Sequence, residues 1–115
     1  MLFCFQYFQQ LKETKRRYEN MLALARSYAN HFLNLMQTQR ALSDQFLELK
    51  HKSFLLADEF GYNAETQTLL IRHGEVLMNA LNYFTSTLDT LCNKTIEDTI
   101  TTIRSYEISR FDDFY

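Results

Sequence analysis

The chain contains no proline and only two glycines among its 115 residues. Proline and glycine are the residues that most often punctuate turns, and a fold of many short strands needs a turn about every 8–12 residues. The same shortage excludes glycine-rich and proline-rich linkers. The sequence therefore predicts an all-α protein built from long, uninterrupted helices.

The first predicted helix runs from about Gln6 to Lys52, because nothing in that stretch interrupts a helix. Apolar residues recur along it at steps of three and four, which is the spacing of one helix face. Gln39 interrupts this pattern, and we expect it either to set the register of a helix pair or to contact a partner. The apolar stripe comprises Leu11, Tyr18, Leu22, Ala25, Ala29, Phe32, Met36, Leu42, Phe46 and Leu49.

A break is predicted at Ser53–Asn63, with the second helix running from about Ala64 towards the C-terminus. We expect Gly61 to take the left-handed conformation that closes a helical turn, and Asn63 to cap the next helix. Because the break is rich in apolar side chains, we expect it to be packed. The second stripe comprises Leu70, Leu77, Leu81, Phe84, Leu88, Leu91, Thr95, Ile96, Ile100, Ile103 and Tyr106.

Both helices carry further apolar residues beside these stripes. A hairpin of two helices buries one stripe on each, so the wider apolar arcs require a third helix or a second subunit. We therefore expect the isolated chain to self-associate or to fold poorly. Gly74 lies inside the second stripe and indicates either close approach of a neighbouring helix or a functional bend. The further residues are Met21, Tyr28, Leu35 and Leu42 on the first helix, and Leu69, Val76, Ala80 and Tyr83 on the second.

The sequence contains no motif that points to catalysis or to a metal site. Glu48 and His51 match half of the paired motif of di-iron helical bundles, but no second half is present. We therefore predict no catalytic residue, no metal and no cofactor. A net charge of −2 argues against nucleic-acid binding. Cys4 and Cys92 form no Cys-x-x-Cys motif, which favours a reduced cytosolic compartment, with Cys92 as a buried small side chain.

Four basic residues fall in one arc of about 100° on a helical wheel of the first helix, opposite the apolar stripe. They are Lys12, Lys15, Arg16 and Arg26, and Glu19 lies in the same arc. One interpretation is an ordinary solvated face. The other is an electrostatic contact with anionic lipid or with an acidic protein.

Several segments, in order, resemble the arfaptin homology domain. They are Glu13–Glu19, Leu35–Leu42 and Glu59–Gln67, followed by Lys94–Thr99 and then by Tyr106, Glu107 and Arg110. The Glu59–Gln67 segment is the most specific, because it is long and no general property of helices explains it. Residues 1–10 diverge from the family, and residues 11–115 resemble a partial domain with the first helix and much of the second. We expect the third helix of the family's domain to be missing.

The resemblance implies a BAR-type fold, in which three long helices form an antiparallel coiled coil and two copies form a crescent-shaped homodimer. It implies a non-enzymatic scaffold that binds GTP-loaded small GTPases of the Arf, Arf-like and Rac groups. It also implies binding to curved anionic membranes that contain phosphoinositides, at a cytoplasmic, peripheral location on the trans-Golgi network. A structural coiled-coil adaptor without membrane activity is the alternative.

By analogy with this fold, the predicted break lies near the dimer centre. The residues in and beside it are then candidates for core or dimer contacts: Phe46, Leu49, Phe54, Leu56, Phe60 and Tyr62. The candidates for a surface that faces the membrane or the GTPase are Lys12, Lys15, Arg16 and Arg26. The sequence does not assign these four residues to one of the two partners.

Overall fold

The computed structural model describes residues 2–112, and the side chains of residues 2–110. Helix α1 spans Leu2–Lys52 and helix α2 spans Ala57–Thr90. A π-helical turn at Leu91–Ile96 then leads into helix α3 at Glu97–Asp112. No strand occurs in the described range. The predicted all-α fold with two long helices is confirmed, although α1 begins nearer the N-terminus than predicted.

The described residues form two compact units, each of which holds one stretch of α1 against a later stretch of the chain. The hairpin unit is Arg26–Tyr83, and the terminal unit combines α1 up to Ala25 with the residues from Phe84 onward. In each unit, the end of the α1 stretch lies beside the start of the stretch that it packs against, and the start of the α1 stretch lies beside its end. The paired stretches are therefore antiparallel.

The buried positions of α1 follow a spacing of three and four residues along its length, as in a coiled coil. The most buried are Leu22, Met36 and Ser43. We call the line of buried contacts in each unit the seam. Leu42, which belongs to the predicted stripe, is 42% exposed, and Ser43 beside it lies in the seam instead.

The predicted stripe of α2 is wrong by one residue in the first half of the helix. Leu70 and Leu77 are exposed, whereas Ile71 and Gly74 are buried. The seam is hard to recognise here because Gly74 and Ala64 are small, while the larger apolar residues lie beside it. The predicted close approach at Gly74 is confirmed, since an added Cβ would lie 3.2 Å from the Phe32 ring and from Met36 Sδ.

The predicted break at Ser53–Asn63 is too long. Only Ser53–Leu56 is non-helical, and α2 already begins at Ala57. Asp58 and Glu59 occupy its first turn, where acidic side chains favour a helix N-terminus. Gly61 is therefore inside α2 and has no positive φ. Asn63 does not cap the helix either, because its Nδ2 donates to the carbonyl oxygen of Glu59 at 2.9 Å.

The expectation that the break is packed is also wrong within this chain. Phe54 is 97% exposed and Leu55 is 89% exposed. The connection is too short to fold back over the helices that it joins. Its apolar side chains therefore project away from the hairpin.

The π-helical turn changes which residues of the second helical segment enter the seam. Up to Cys92, buried positions alternate between steps of three and four, and a regular α-helix would next bury Thr95. A π-helical turn accommodates one extra residue. As a result, Ile96 and Ile100 are buried instead, and Thr95 is exposed.

Within the described range, none of the helices is both long enough and apolar enough to cross a lipid bilayer.

Candidate functional site

The hairpin unit has two flanks of different chemistry. Arg40 follows the half-buried Gln39, and Glu75 follows the buried Gly74. Their side chains meet across the helix pair, with Arg40 Nη2 donating to Glu75 Oε1 at 2.8 Å. Since each residue comes just after a seam position, this pair marks one side of the seam. Residues that come just before the next seam position must lie on the other side.

The second side is apolar. Leu35 and Leu42 precede the buried Met36 and Ser43 on α1, and they are 51% and 42% exposed. We call this side the apolar flank. Its residues repeat every seven positions on both helices, so they form two parallel rows along the seam. They are Tyr28, Leu35, Leu42 and Leu49 on α1 and Leu70 and Leu77 on α2.

The side that carries Arg40 and Glu75 is the charged flank, and it contains two adjoining open grooves. One has a volume of about 380 Å³ and the other of about 390 Å³. Leu47, Thr68 and Arg72 line both. Lysine, arginine, aspartate and glutamate side chains alternate along these grooves, so neither sign of charge dominates.

A third row lies on the side of α2 that faces away from the seam. It repeats every seven residues and is the most exposed of the apolar rows. Its members are Tyr62 at 71%, Leu69 at 55%, Val76 at 69% and Tyr83 at 77% exposed. Together with the apolar flank, this row matches the excess apolar surface that the sequence predicts.

Lys15 does not lie on a solvated face opposite the apolar stripe, as the wheel predicts. It is half-buried at the seam of the terminal unit, with Nζ 3.0 Å from Glu97 Oε2 and 3.1 Å from Glu19 Oε1. The hydrogen bond to Glu97, followed by that to Glu19, raises the pKa of Lys15 above its usual value. Its spacing from Tyr18 and Leu22 is the signal that places it in the seam.

The other three predicted basic residues are more exposed. Lys12 Nζ lies 4.5 Å from the ring centroid of Phe8, which also carries Arg104 with its Cζ at 5.5 Å. Arg16 is exposed in the same unit, whereas Arg26 is exposed in the hairpin unit. Of the four predicted residues, Lys12 and Arg16 therefore remain the candidates for a charged surface in the terminal unit.

The six candidates for core or dimer contacts divide into two sets. The rings of Phe46 and Phe60 stack in the hairpin unit with their centroids 6.3 Å apart, and both are half-buried. The other four are exposed in the isolated chain: Leu49 at 41%, Phe54 at 97%, Leu56 at 49% and Tyr62 at 71%. Their role as dimer contacts stays a prediction.

Two buried side chains complete the seams. Ser43 is 5% exposed and donates from Oγ to the carbonyl oxygen of Ala64 at 3.2 Å. The sequence analysis missed Ser43, although it lies four residues after Gln39 in the spacing of the seam. Cys92 is fully buried, and burial raises the pKa of its thiol. It packs against Leu22 and Leu88 as the predicted small core side chain.

No group of three or more histidine, cysteine, aspartate or glutamate side chains in the described part of the chain is arranged to hold a metal ion. The exposed surfaces described above are the apolar flank, the third row on α2 and the cations of the terminal unit.

Comparison with known proteins identifies the family. The Arfaptin-like domain model matches residues 6–113. Human Arfaptin-2 is 51% identical over 102 residues, which cover 89% of this chain and 30% of that protein. Human Arfaptin-1 is 46% identical over 102 residues, which cover 89% of this chain and 27% of that protein.

The chain thus spans less than a third of the length of these relatives. The matched segment nevertheless includes both seams, the apolar flank and the exposed basic residues. The arfaptins are a family of BAR-like scaffold domains, which agrees with a helix pair whose apolar surface exceeds what two helices bury. This chain belongs to the arfaptin-like domain family.

Proposed function

We propose that this chain supplies two helices of a dimeric scaffold that binds GTP-loaded small GTPases and curved anionic membranes. The observation that carries the proposal is the arfaptin-like match over residues 6–113. The GTPase partners that follow from it belong to the Arf, Arf-like and Rac groups. The membrane partner is an anionic, phosphoinositide-containing surface of the trans-Golgi network, to which the protein binds peripherally from the cytoplasm.

The apolar flank supports the scaffold part of this proposal. Burying a leucine side chain stabilises a protein by about 1.5–3 kcal/mol. A row of such residues on each helix of the hairpin unit therefore favours a further helix on this flank, from the same chain or from a second subunit. The exposed turn residues Phe54 and Leu55 offer another apolar surface for the homodimer.

Two assays on the full-length natural protein test the proposal. Co-sedimentation with phosphoinositide-containing vesicles measures membrane binding, and capture on immobilised GTPase in the GTP-loaded and GDP-loaded states measures GTPase binding. We expect binding to the vesicles and preference for the GTP-loaded state. Absence of both lipid-dependent pelleting and nucleotide-dependent capture would overturn the proposal.

A coiled-coil adaptor without membrane activity is the second candidate, and the pairing of Lys15 favours it. Since Lys15 is bonded to Glu97, fewer cations are available for lipid than the sequence suggests. The variant Lys12→Glu/Arg16→Glu discriminates while leaving Lys15 intact. A membrane scaffold should lose vesicle binding, whereas an adaptor should keep its protein partner. Arg72→Glu on the charged flank is the matched control and should leave vesicle binding unchanged.

A further inference from the structure

The connection between α1 and α2 carries a serine directly behind two lysines. Lys50 and Lys52 lie in the last turn of α1, and Ser53 follows them. Phe54 comes next and is 97% exposed. Within residues 2–112, Ser53–Leu56 is the only stretch outside the helices. The connection therefore combines local positive charge, a hydroxyl group and a non-helical backbone.

This arrangement matches what basophilic protein kinases select. Such kinases have an acidic peptide-binding groove and read a lysine or arginine that lies three residues before the target hydroxyl. In the whole sequence, two serines or threonines have a cation at this spacing. Ser53 follows Lys50, and Ser43 follows Arg40. The sequence therefore offers two candidate sites, and the structure distinguishes between them.

Ser43 is not accessible to an enzyme while α1 is packed against α2. Its side chain is 5% exposed, and its Oγ donates to the carbonyl oxygen of Ala64 at 3.2 Å. It lies in the seam between the buried Met36 and the half-buried Phe46. A kinase binds the chain around its target hydroxyl in an extended form, so phosphorylation of Ser43 would require the seam to open.

Ser53 lies beyond Phe46, which is the last seam residue of α1. Residues 47–52 are all exposed, so unwinding the last turn of α1 breaks no apolar contact of the seam. It gives up the exposed ion pair of Lys52 with Glu48, at 2.7 Å, and such pairs contribute little to stability. Helix ends open at a low free-energy cost, because their last carbonyl groups have no partner within the helix. The chain around Ser53 can therefore extend while the hairpin unit stays folded.

We propose that Ser53 is a phosphorylation site of a basophilic serine/threonine kinase, and that its place in the seam excludes Ser43. Lys50 and Lys52 bind the acidic groove of the kinase. Ser53 Oγ then forms a bond to the γ-phosphorus of the ATP that the kinase holds, and the bond from this phosphorus to the oxygen that bridges it to the β-phosphorus breaks. The hydroxyl proton passes to the catalytic carboxylate of the kinase, and ADP leaves.

The product has a different charge at the connection. A phosphoserine carries a charge of about −1.5 to −2 at pH 7, which offsets the charges of Lys50 and Lys52. The phosphate lies next to Phe54 and Leu55, which are the most exposed apolar side chains among the described residues. The modification thus places a strongly hydrated group beside this apolar surface. It requires neither GTPase nor membrane binding, so it goes beyond the proposed function.

Phosphorylation of the full-length natural protein by the catalytic domain of protein kinase C, with ATP and Mg²⁺, tests the site. Tandem mass spectrometry should map the phosphate to Ser53 and not to Ser43. The variant Lys50→Ala/Lys52→Ala should lower the initial rate at Ser53 more than about tenfold, because the acidic groove loses both cations.

The matched control is Arg17→Ala/Arg72→Ala, which removes two exposed cations from other parts of the chain. It should leave the rate at Ser53 unchanged. An equal loss of rate in the two double variants would contradict recognition through the last turn of α1.

Two synthetic peptides separate the effect of sequence from that of structure. One covers residues 46–60 with Ser53, and the other covers residues 36–50 with Ser43, which is followed by Asp44. In peptides both serines are accessible, so the ratio of their rates reports the preference of the kinase for the two sequences. In the folded protein we expect the ratio of Ser53 to Ser43 phosphorylation to be more than about tenfold higher, because Ser43 requires the seam to open.

Three further outcomes would overturn the inference. If the peptide of residues 46–60 is not phosphorylated, its lysines do not form a kinase motif. If that peptide is phosphorylated but Ser53 in the protein is not, the connection is inaccessible. If the ratio of the two rates is the same in the peptides and in the protein, the seam does not select the site.

Discussion

Gly61 and Gly74 are both buried in α2, but their neighbours differ in stiffness. A Cβ added to Gly61 would lie 3.3 Å from Cδ, Cε and Nζ of Lys50. A Cβ added to Gly74 would lie 3.2 Å from Met36 Sδ and from Cε1 of the Phe32 ring. The lysine side chain can rotate towards solvent, whereas the phenyl ring is half-buried in the seam.

Alanine substitutions at the two positions should therefore have opposite effects on stability. Gly61→Ala should raise the free energy of unfolding by up to about 1 kcal/mol, because alanine is the better helix former. Gly74→Ala should lower the free energy of unfolding by about 1–3 kcal/mol, because the gain in helix propensity is outweighed by overpacking. Urea denaturation followed by circular dichroism, at one protein concentration, measures both effects.

The double variant Lys50→Ala/Gly61→Ala is the control for this comparison. With the lysine side chain removed, the stabilisation by alanine at position 61 should remain, relative to Lys50→Ala alone. Equal destabilisation by Gly61→Ala and Gly74→Ala would contradict the argument, since it would show that the Lys50 side chain is held as firmly as the Phe32 ring.

Lys15 and Ser43 show which single-residue features a sequence can reveal. Both follow the spacing of their neighbours in the seam, so their burial could have been predicted from position. Their partners could not, because Glu97 and the carbonyl oxygen of Ala64 come from other helical segments. The burial of a polar residue in an apolar stripe is explained only once the fold shows which hydrogen-bond partner lies beside it.

At the scale of the helices, the π-helical turn is the feature with the largest effect on the seam. It spans Leu91–Ile96 in the terminal unit and shifts the buried positions of the second helical segment by one residue relative to α1. Without that shift, Thr95 and Thr99 would occupy the seam in place of isoleucines. The extra residue is thus an insertion that the turn absorbs.

Deletion of Asn93 should therefore restore a regular α-helix and keep Ile96 and Ile100 in the seam. Asn93 is exposed, and its side chain contacts only Asp89 of the preceding turn among the described interactions. We expect the free energy of unfolding to change by no more than about 1 kcal/mol. Thermal unfolding followed by circular dichroism measures it.

The matched control is deletion of Asn82, another exposed asparagine, which lies in the regular part of α2. Here no extra residue exists, so the deletion rotates the residues between position 82 and the π-helical turn by about 100° and removes Leu88 from the seam. We expect a loss of more than about 3 kcal/mol, in the range of large core deletions. Comparable losses in the two deletion variants would show that the π-helical turn has no role in register.

The sequence predicts that the helices exist more reliably than it predicts where they meet. The absence of proline accounts for the length of α1 and α2, whereas glycine proved a poor marker of the break. Gly61 remains helical because the first turn of α2 already forms at Asp58 and Glu59. The π-helical turn has no signal in the local sequence. It results from the match between the buried residues of α1 and those of the second helical segment, which are far apart in the sequence.

For the whole molecule, the apolar flank is the surface that the described residues leave incomplete. The sequence predicts that both helices carry more apolar residues than a hairpin buries, and the exposed rows of the hairpin unit agree with this. The particular occupants, a third helix and a second subunit, come from the family resemblance. Periodicity alone indicates only that something covers the flank.

The isolated chain should self-associate through the apolar flank. Leu35→Glu/Leu42→Glu places two charges there and should raise the dissociation constant more than about tenfold, since burying one leucine contributes about 1.5–3 kcal/mol. Leu47→Glu is the control, because Leu47 is 42% exposed on α1 but lines the charged flank. Sedimentation equilibrium measures association. A monomer that unfolds in one sharp transition, or an equal effect of Leu47→Glu, would contradict the assignment of the apolar flank as the association surface.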